Sequence, residues 1–213
     1  MADTHLLARV DHLVYATADL ERGIEEIEQV LGIRAAIGGR HPDWGTCNAL
    51  VALGPASYLE IIAPDPEHAV GAGTRPFGLD DRQSSQLVGW AANATRLEDA
   101  CARARSLGVE LGTVRSGSRQ PPSGPTLEWE LTDLRCRIAD GLVPFLIDWG
   151  RSPHPSSRAP AGATLVELRA VHPDPQRVRR ILQALGLTMQ VDADHSAALM
   201  AAIECPRGRV MLR

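Results

Sequence analysis

The sequence predicts an α+β fold that is built from repeated βαβββ modules. Three times, an apolar strand leads into a helix that ends at Leu-Gly followed by an apolar residue. The three glycines, Gly32, Gly108 and Gly186, are 76 and 78 residues apart. This period is too long for a solenoid unit and suits a small module used three times. We therefore expect two modules to pair into a curved mixed sheet around a cleft, with a third, abbreviated module beside them.

Composition and charge limit the functional classes. The 213 residues carry a net charge of −4 and contain no basic stripe, so we expect no nucleic-acid partner. No apolar run approaches the roughly 20 residues that cross a bilayer, and no leader-like segment is recognisable, so we expect no membrane association. The four cysteines form no C-x-x-C pair, which excludes a zinc ribbon and a thioredoxin-like motif. These features predict a cytoplasmic protein with reduced thiols.

The first module is predicted to span residues 10–66. A buried strand at 13–16 is followed by Asp19 as a helix N-cap, and apolar residues then recur at helical spacing up to Gly32. Glycine at that place is typical of a left-handed position just after a helix. Two strands follow at 48–53 and 58–62, and a Gly-Pro-Ala turn joins them.

The second module is predicted to span residues 86–150. Its helix follows a strand near 87–91, and Thr95 and Glu98 predict a capping box at the start of the helix. The Gly-, Ser- and Pro-rich segment 115–126 predicts a loop over the site.

A linker at 151–162, rich in Pro and Ser, is expected to separate a domain at 8–150 from the third module at 163–213. In the third module, Asp174 caps a helix whose first turn holds Pro175. The apolar strand face of this module must be buried, either on the first two modules or against a second chain. A homodimer is therefore one of two predicted arrangements.

The first two modules contain five short segments that occur in a distinctive order. They are DHLVYA at 11–16, GGRHP at 38–42, WGTCNAL at 44–50, YLEIIAP at 58–64 and PFLIDW at 144–149. With the βαβββ succession, these segments resemble the vicinal oxygen chelate superfamily and, within it, the glyoxalase-like domain proteins. That superfamily includes glyoxalases, epimerases, ring-cleaving dioxygenases and antibiotic-binding proteins. The resemblance therefore implies a small-molecule ligand and leaves lyase, isomerase and dioxygenase chemistry open.

The resemblance also implies a divalent-metal site in the cleft. Metal-dependent members take a His from the first strand and a Glu from the last strand of a module, and His12 and Glu60 hold these positions. The ion would be Fe, Mn, Ni or Zn, with His41 and Asp148 as additional ligand candidates. It would act as a Lewis acid, and Glu60 would be a ligand or the catalytic base.

The second module weakens the metal hypothesis. Gly89 or Val88 stands in the place of the histidine, and Leu146 stands in the place of the glutamate. Half of the expected ligand set is therefore missing. The alternative hypothesis is a metal-free protein that binds or sequesters a small molecule without catalysis.

Six further side chains are candidates for substrate binding, and each has a structural interpretation beside the functional one. Arg40 would hold an anionic group through a bidentate contact, or it is an exposed loop arginine. The polar candidates His41, Thr46 and Asn48 would line the cleft, or they belong to loop and strand-start chemistry. Trp90 and Trp149 would cover an apolar ligand, or they are core residues.

Overall fold

An eight-stranded mixed sheet and a four-stranded sheet share one hydrophobic core. The computed structural model describes residues 4–68, 70, 71, 73, 75–119, 121 and 126–213. The helices are α1 Thr4–Leu7, α2 Leu20–Leu31, α3 Leu97–Ser106 and α4 Pro175–Ala184. The strands are β1 Val10–Ala16, β2 Ala36–His41, β3 Thr46–Gly54, β4 Ser57–Pro64, β5 Gln86–Asn93, β6 Arg115–Arg119, β7 Leu127–Leu131, β8 Phe145–Asp148, β9 Thr164–His172, β10 Gln190–Ala193, β11 Ala198–Cys205 and β12 Gly208–Leu212.

The large sheet consists of two modules that meet at their first strands. Its order is β2-β3-β4-β1-β5-β8-β7-β6. In each module the first strand pairs in parallel with the last, as β1 with β4 and β5 with β8, and β1 pairs with β5 antiparallel. The edge strands β2 and β6 also contact each other, so the curved sheet is nearly closed. The predicted α+β class with paired βαβββ modules is confirmed.

The helices begin and end largely where the sequence predicts. Asp19 caps α2 by accepting a hydrogen bond from the backbone N–H of Arg22, and Asp174 caps α4 in the same way. Gly32, Gly108 and Gly186 all have positive φ angles, between 68° and 79°, which L-residues with a side chain rarely adopt. The repeated Leu-Gly pattern therefore marks helix ends for a backbone reason.

Two predictions for the second module were wrong. The capping box does not form, because α3 begins after Arg96, which has a φ of 52° and makes no side-chain capping bond. The first part of the predicted loop 115–126 is the strand β6, which pairs with β7 despite its small and polar residues. Residues 120 and 122–125 of that segment lie outside the described residues.

The third module has the predicted succession of elements with a different strand order. Its sheet runs β10-β9-β11-β12, so its first strand pairs with its second and third strands and not with its last. The apolar face of this sheet joins the core of the first two modules, where Leu168, Leu182 and Ala201 belong to the same cluster as Leu13 and Leu31. Of the two predicted arrangements, the chain therefore adopts burial on its own first modules. None of the described helices has the length and apolar character that a bilayer crossing requires.

Candidate ligand-binding cleft

The inner face of the curved sheet encloses a small cavity with a polar end and aromatic walls. The polar lining residues are His12, His41, Asn48, Glu60 and Arg119. The aromatic lining residues are Trp44, Tyr58, Phe77, Trp129, Phe145 and Trp149. The open space between them is about 30 Å³. That is room for about two water molecules, or for one small polar group of a ligand.

His12 is held in place by the preceding residue, Asp11. The register between β1 and β5 shifts between Val10 and His12, which is a β-bulge. A bulge re-aims side chains, so the neighbours Asp11 and His12 contact each other, with Asp11 Oδ1 2.7 Å from His12 Nδ1. The same carboxylate accepts hydrogen bonds from Trp149 Nε1 at 3.1 Å and from His154 Nε2 at 3.3 Å.

The charge of Asp11 determines the proton positions on His12. Burial by itself raises the pKa of the Asp11 carboxyl, but hydrogen bonds and attraction from His12 and His154 outweigh it and lower this pKa to about 2. An ionised carboxylate only accepts hydrogen bonds, so Nδ1 of His12 carries a proton. In the neutral ring, Nε2 is then a free acceptor that can take a hydrogen bond or a proton from a ligand.

Glu60 faces His12 across the cavity. The β1–β4 register pairs His12 with Tyr58 and Val14 with Glu60, so alternate residues of the two strands share the inner face. Glu60 Oε2 lies 3.8 Å from His12 Nε2, and the rings of His12 and Tyr58 stack at 4.7 Å. The predicted meeting of a first-strand histidine and a last-strand glutamate is therefore present as geometry, while their roles remain a proposal.

Asn48 links the polar residues of the cavity. Its Nδ2 donates to Glu60 Oε1 at 2.5 Å and lies 3.5 Å from His41 Nε2, while its Oδ1 accepts from Arg119 Nη1 at 2.9 Å. Gly38 makes room for this contact, because a Cβ atom there would collide with both Asn48 Oδ1 and Arg119 Nη1. The amide thus separates the carboxylate of Glu60 from the guanidinium of Arg119.

His41 is a buried, neutral histidine. Its Nδ1 lies 3.0 Å from the hydroxyl of Thr46, which orients the ring toward Asn48. Burial lowers the pKa of His41 to about 4, and the nearby carboxylate of Glu60 opposes this only in part. Of the predicted polar candidates, His41 and Asn48 therefore line the cavity, and Thr46 positions His41 from behind.

Gly89 occupies the position in the second module that corresponds to His12. Across the antiparallel contact of β1 and β5, His12 pairs with Ala91 and Val14 pairs with Gly89. Leu13 pairs with Trp90 at the centre of this contact. A local two-fold axis at that pair exchanges His12 with Gly89 and Val14 with Ala91. The register therefore selects Gly89 from the two alternatives, Gly89 and Val88, that the sequence leaves open.

Phe145 occupies the position that corresponds to Glu60. Val14 pairs with Glu60 in the first module, and Ala91 pairs with Phe145 in the second. The sequence alignment of the two modules assigned Leu146 to this position and was wrong by one residue. The phenyl ring of Phe145 fills the place of a second carboxylate, so the cavity has one polar half and one apolar half.

The structure places three further candidates, Trp90, Asp148 and Trp149, in three different environments. Trp90 is fully buried in the core on the helix-covered face, where its Nε1 donates to the carbonyl of Leu142, so it does not line the cavity. Asp148 lines an outer groove and accepts from the backbone N–H of Gly150. Trp149 alone among these three lines the cavity, and it also contacts Asp11.

Arg40 lies outside the cavity, and carboxylates of the chain occupy its guanidinium. The side chain is half-exposed, with Nη1 2.6 Å from Asp65 and Nη2 2.8 Å from Glu67. These ion pairs leave Arg40 poorly suited to a ligand anion.

Several residues of the site were not found from the sequence, including the aromatic wall residues Trp44, Phe77, Trp129 and Phe145. Strict strand alternation directs Asp11 away from His12, and Tyr58 is one residue of a predicted strand with no further signal in the sequence. Arg119 lies in a segment whose composition predicts a loop, and His154 lies in the predicted linker. The pairing of Asp with His at positions 11 and 12 was the one local signal, since a carboxylate often orients a functional histidine.

The residues of the cavity do not fit a divalent metal ion. Among the residues that the structure describes, no group of three His, Cys, Asp or Glu side chains is arranged to hold one. Two donors face each other, His12 and Glu60, whereas catalytic zinc sites usually have three protein ligands. The amide of Asn48 lies between Glu60 and His41, and Phe145 occupies the opposite position. These side chains therefore support no chemical step through a metal.

Two larger grooves adjoin the cavity from outside. One, of about 880 Å³, shares Trp129 and Trp149 with the cavity. The other, of about 800 Å³, shares Arg119 with it. These three side chains thus form the partitions between the cavity and the open surface, and volumes of this size are typical of small-molecule sites.

The fold and the cleft define a protein of two paired βαβββ modules around a small cavity with a polar end and aromatic walls. The sequence model described as "Glyoxalase-like domain" matches residues 10–186, which is most of the chain. The chain therefore belongs to the glyoxalase-like domain family, as the resemblance predicts. No curated protein matches the sequence.

Solved structures resemble the chain in fold. A hypothetical protein from Staphylococcus aureus is 14% identical with a TM-score of 0.66, and the match covers 88% of this chain and 86% of that one. Methylmalonyl-CoA epimerase from Mycobacterium tuberculosis is 24% identical with a TM-score of 0.45, and the match covers 70% of this chain and 93% of that one. At these identities the first likeness concerns the fold alone, and the second supports no conclusion about the reaction.

Proposed function

We propose that this protein binds a small molecule in the cleft without a metal ion. One observation carries the proposal: four of the five polar lining residues come from the first module, while the second module contributes Phe145 in the place of a second carboxylate and other apolar side chains beside Arg119. A cavity of this kind recognises a ligand by a small polar head and an apolar body.

The volumes of the cavity and of the adjoining groove indicate a ligand with two parts. The cavity has room only for a small polar group, which would lie at its polar end. The body of the ligand would lie in the adjoining groove against Trp129 and Trp149, whose ring centres are 5.2 Å apart. Flat apolar bodies suit such walls, since aromatic contacts contribute about 0.5–1.5 kcal/mol beyond area burial.

A metal-dependent lyase, isomerase or dioxygenase is the competing function, and one observation favours it. Histidines that bind metals usually donate their other ring nitrogen to a carboxylate, and Asp11 receives Nδ1–H of His12 in this way. The two functions differ in whether an ion is needed for the ligand to bind.

Metal analysis and tryptophan fluorescence together test the proposal. Protein purified without chelator is analysed for Fe, Mn, Ni and Zn, and is then titrated with the neutral flat probes benzamide and phenylacetamide. We expect saturable changes in fluorescence that a chelator leaves unchanged. A stoichiometric metal that is lost in His12→Ala, or probe binding that requires an added ion, would overturn the metal-free function.

A variant pair locates the binding. Trp129→Leu removes one wall and is expected to weaken probe binding about 2- to 10-fold, as expected for loss of an aromatic contact. Leu107→Ala is the control, because it removes an exposed apolar side chain that lines neither the cavity nor the groove. Equal affinities for both variants would place the probes elsewhere.

Three expectations from the sequence stay proposals. The boundaries 8–150, 151–162 and 163–213 and the cytoplasmic location rest on sequence pattern and composition. The homodimer rested on the unpaired third module, whose apolar face is buried within the same chain. Size-exclusion chromatography with light scattering determines the oligomeric state.

A further inference from the structure

Arg119 is a buried cation whose charge the described part of the chain leaves unpaired. The residue is 5% exposed at the end of β6. No described carboxylate lies within ion-pair distance of it, and its Nε has no hydrogen-bond partner among the described residues. Its hydrogen bond to the neutral Asn48 uses Nη1. Buried charges are normally paired, because a charge that is removed from water without a counter-charge destabilises the fold.

The position of Arg119 connects the cavity with the surface. The side chain lines both the cavity and the 800 Å³ groove. The second arginine of that groove, Arg40, is already paired with Asp65 and Glu67. Glu60 does not neutralise Arg119 directly, since the amide of Asn48 lies between them. An anion that entered the cavity would therefore meet a guanidinium without a counter-charge among the described residues.

We propose that Arg119 binds a carboxylate group of the ligand. The inference rests on the proposed function and narrows the ligand to a carboxylic acid with a flat apolar body. The hydrogen bond to Asn48 uses Nη1 of Arg119. Nε has no hydrogen-bond partner among the described residues. A carboxylate can bind side-on to the guanidinium edge formed by Nε and Nη2, through two parallel hydrogen bonds. A carboxylate is small enough for the 30 Å³ cavity, and the aromatic walls receive the body.

Matched pairs of probes test the charge requirement. Benzoate is compared with benzamide, and phenylacetate with phenylacetamide, by tryptophan fluorescence at constant ionic strength. In the unmodified protein we expect each carboxylate to bind at least about 10-fold more tightly than its amide, as a charge-assisted bidentate contact provides. In Arg119→Gln the ratio is expected to fall to near one, because the carboxylates lose more affinity than the amides.

Two more variants keep the test decisive. Arg115→Gln, on the same strand at an exposed position, is expected to preserve the ratio. If Arg119→Gln fails to fold, Arg119→Lys replaces it, because lysine keeps the charge and loses the two-pronged geometry. The ratio should then decrease without reaching one.

The outcomes separate this inference from the proposed function. Amides that bind the unmodified protein as tightly as carboxylates, or a ratio that survives in Arg119→Gln, would overturn the role of Arg119 and leave the cleft as a binding site. Arg119 would then only connect β6 to the opposite edge of the sheet. If neither member of any pair binds, both proposals fall.

Discussion

Asp11 is a single buried carboxylate that organises side chains from three parts of the chain. It contacts His12 on the same strand, Trp149 after β8, and His154 beyond it. Three donors to one anion explain why the carboxyl stays ionised despite burial. The proton position of His12, and with it the ability of Nε2 to accept from a ligand, therefore depends on a residue that lies outside the cavity lining.

His41 makes the stability of the protein depend on pH. The pKa of His41 is about 4 in the folded protein and 6.5 in the unfolded chain. Between pH 6.5 and pH 4 the unfolded state therefore binds a proton that the folded state does not bind. Stability is therefore expected to fall as the pH decreases from 6.5 to 4, by about 3 kcal/mol from this residue alone. Urea unfolding across this range measures it.

The variant His41→Gln removes the titrating group. We expect its free energy of unfolding to lose this part of the pH dependence, while the exposed His195→Gln behaves like the unmodified protein. If both variants retain the same slope between pH 6.5 and 4, another group is responsible.

At the scale of elements, β6 closes the sheet and completes the cavity. Its small residues allow it to pair with β7, and Arg119 at its end reaches Asn48 on β3. Glycine at position 38 of β2 is required for this approach, because a side chain there would occupy the space of the contact. A segment with the composition of a loop thus supplies both an edge strand and a cavity residue.

Two glycine substitutions are expected to differ in effect. Gly38→Ala forces the Asn48–Arg119 contact apart and should cost about 1–3 kcal/mol, as overpacking does. Gly89→Ala is the matched strand control, since the nearest atom to its new methyl group would be at an ordinary 3.6 Å, and it should change stability by less than about 1 kcal/mol. Urea unfolding compares them, and equal losses would refute the close approach at Gly38.

At the scale of the whole molecule, the small sheet is part of the same core as the large one. Side chains of α4 and β9 belong to one apolar cluster with β1 and α2. The backbone N–H of Leu87 also donates to the carbonyl of Arg213, which connects the large sheet to the end of the chain. The third module therefore supports the helix-covered face of the sheet whose other face forms the cleft.

Shared burial predicts that both sheets unfold together. Leu182→Ala in α4 removes a fully buried side chain and should cost about 2–5 kcal/mol. All four tryptophans precede residue 150, so their fluorescence reports on the large sheet, while circular dichroism reports on both. We expect the two signals to shift together, and the exposed Gln183→Ala to shift neither. Separate transitions would show that the third module unfolds independently.

Much of the fold could be predicted because its signals are local. Helix caps at Asp19 and Asp174 and the glycines at helix ends act within a few residues, so the sequence shows them directly. The pairing of His12 with Glu60 also followed, since two strand positions on one face are set by alternation and module order. The capping box at Thr95 failed because the backbone at Arg96 adopts a left-handed conformation that no spacing rule anticipates.

The sequence by itself determined the two paired modules, the succession of elements in the third, and the residues His12 and Glu60 as a candidate site. Tertiary structure alone decided that Asp11 supports His12, that Phe145 and not Leu146 stands opposite, and that Arg119 lines the cavity while Arg40 is paired with Asp65 and Glu67 outside it. The physical reason is that these three outcomes depend on a bulge, a strand register and the pairing of buried charges. Each is settled between segments that are distant in the chain.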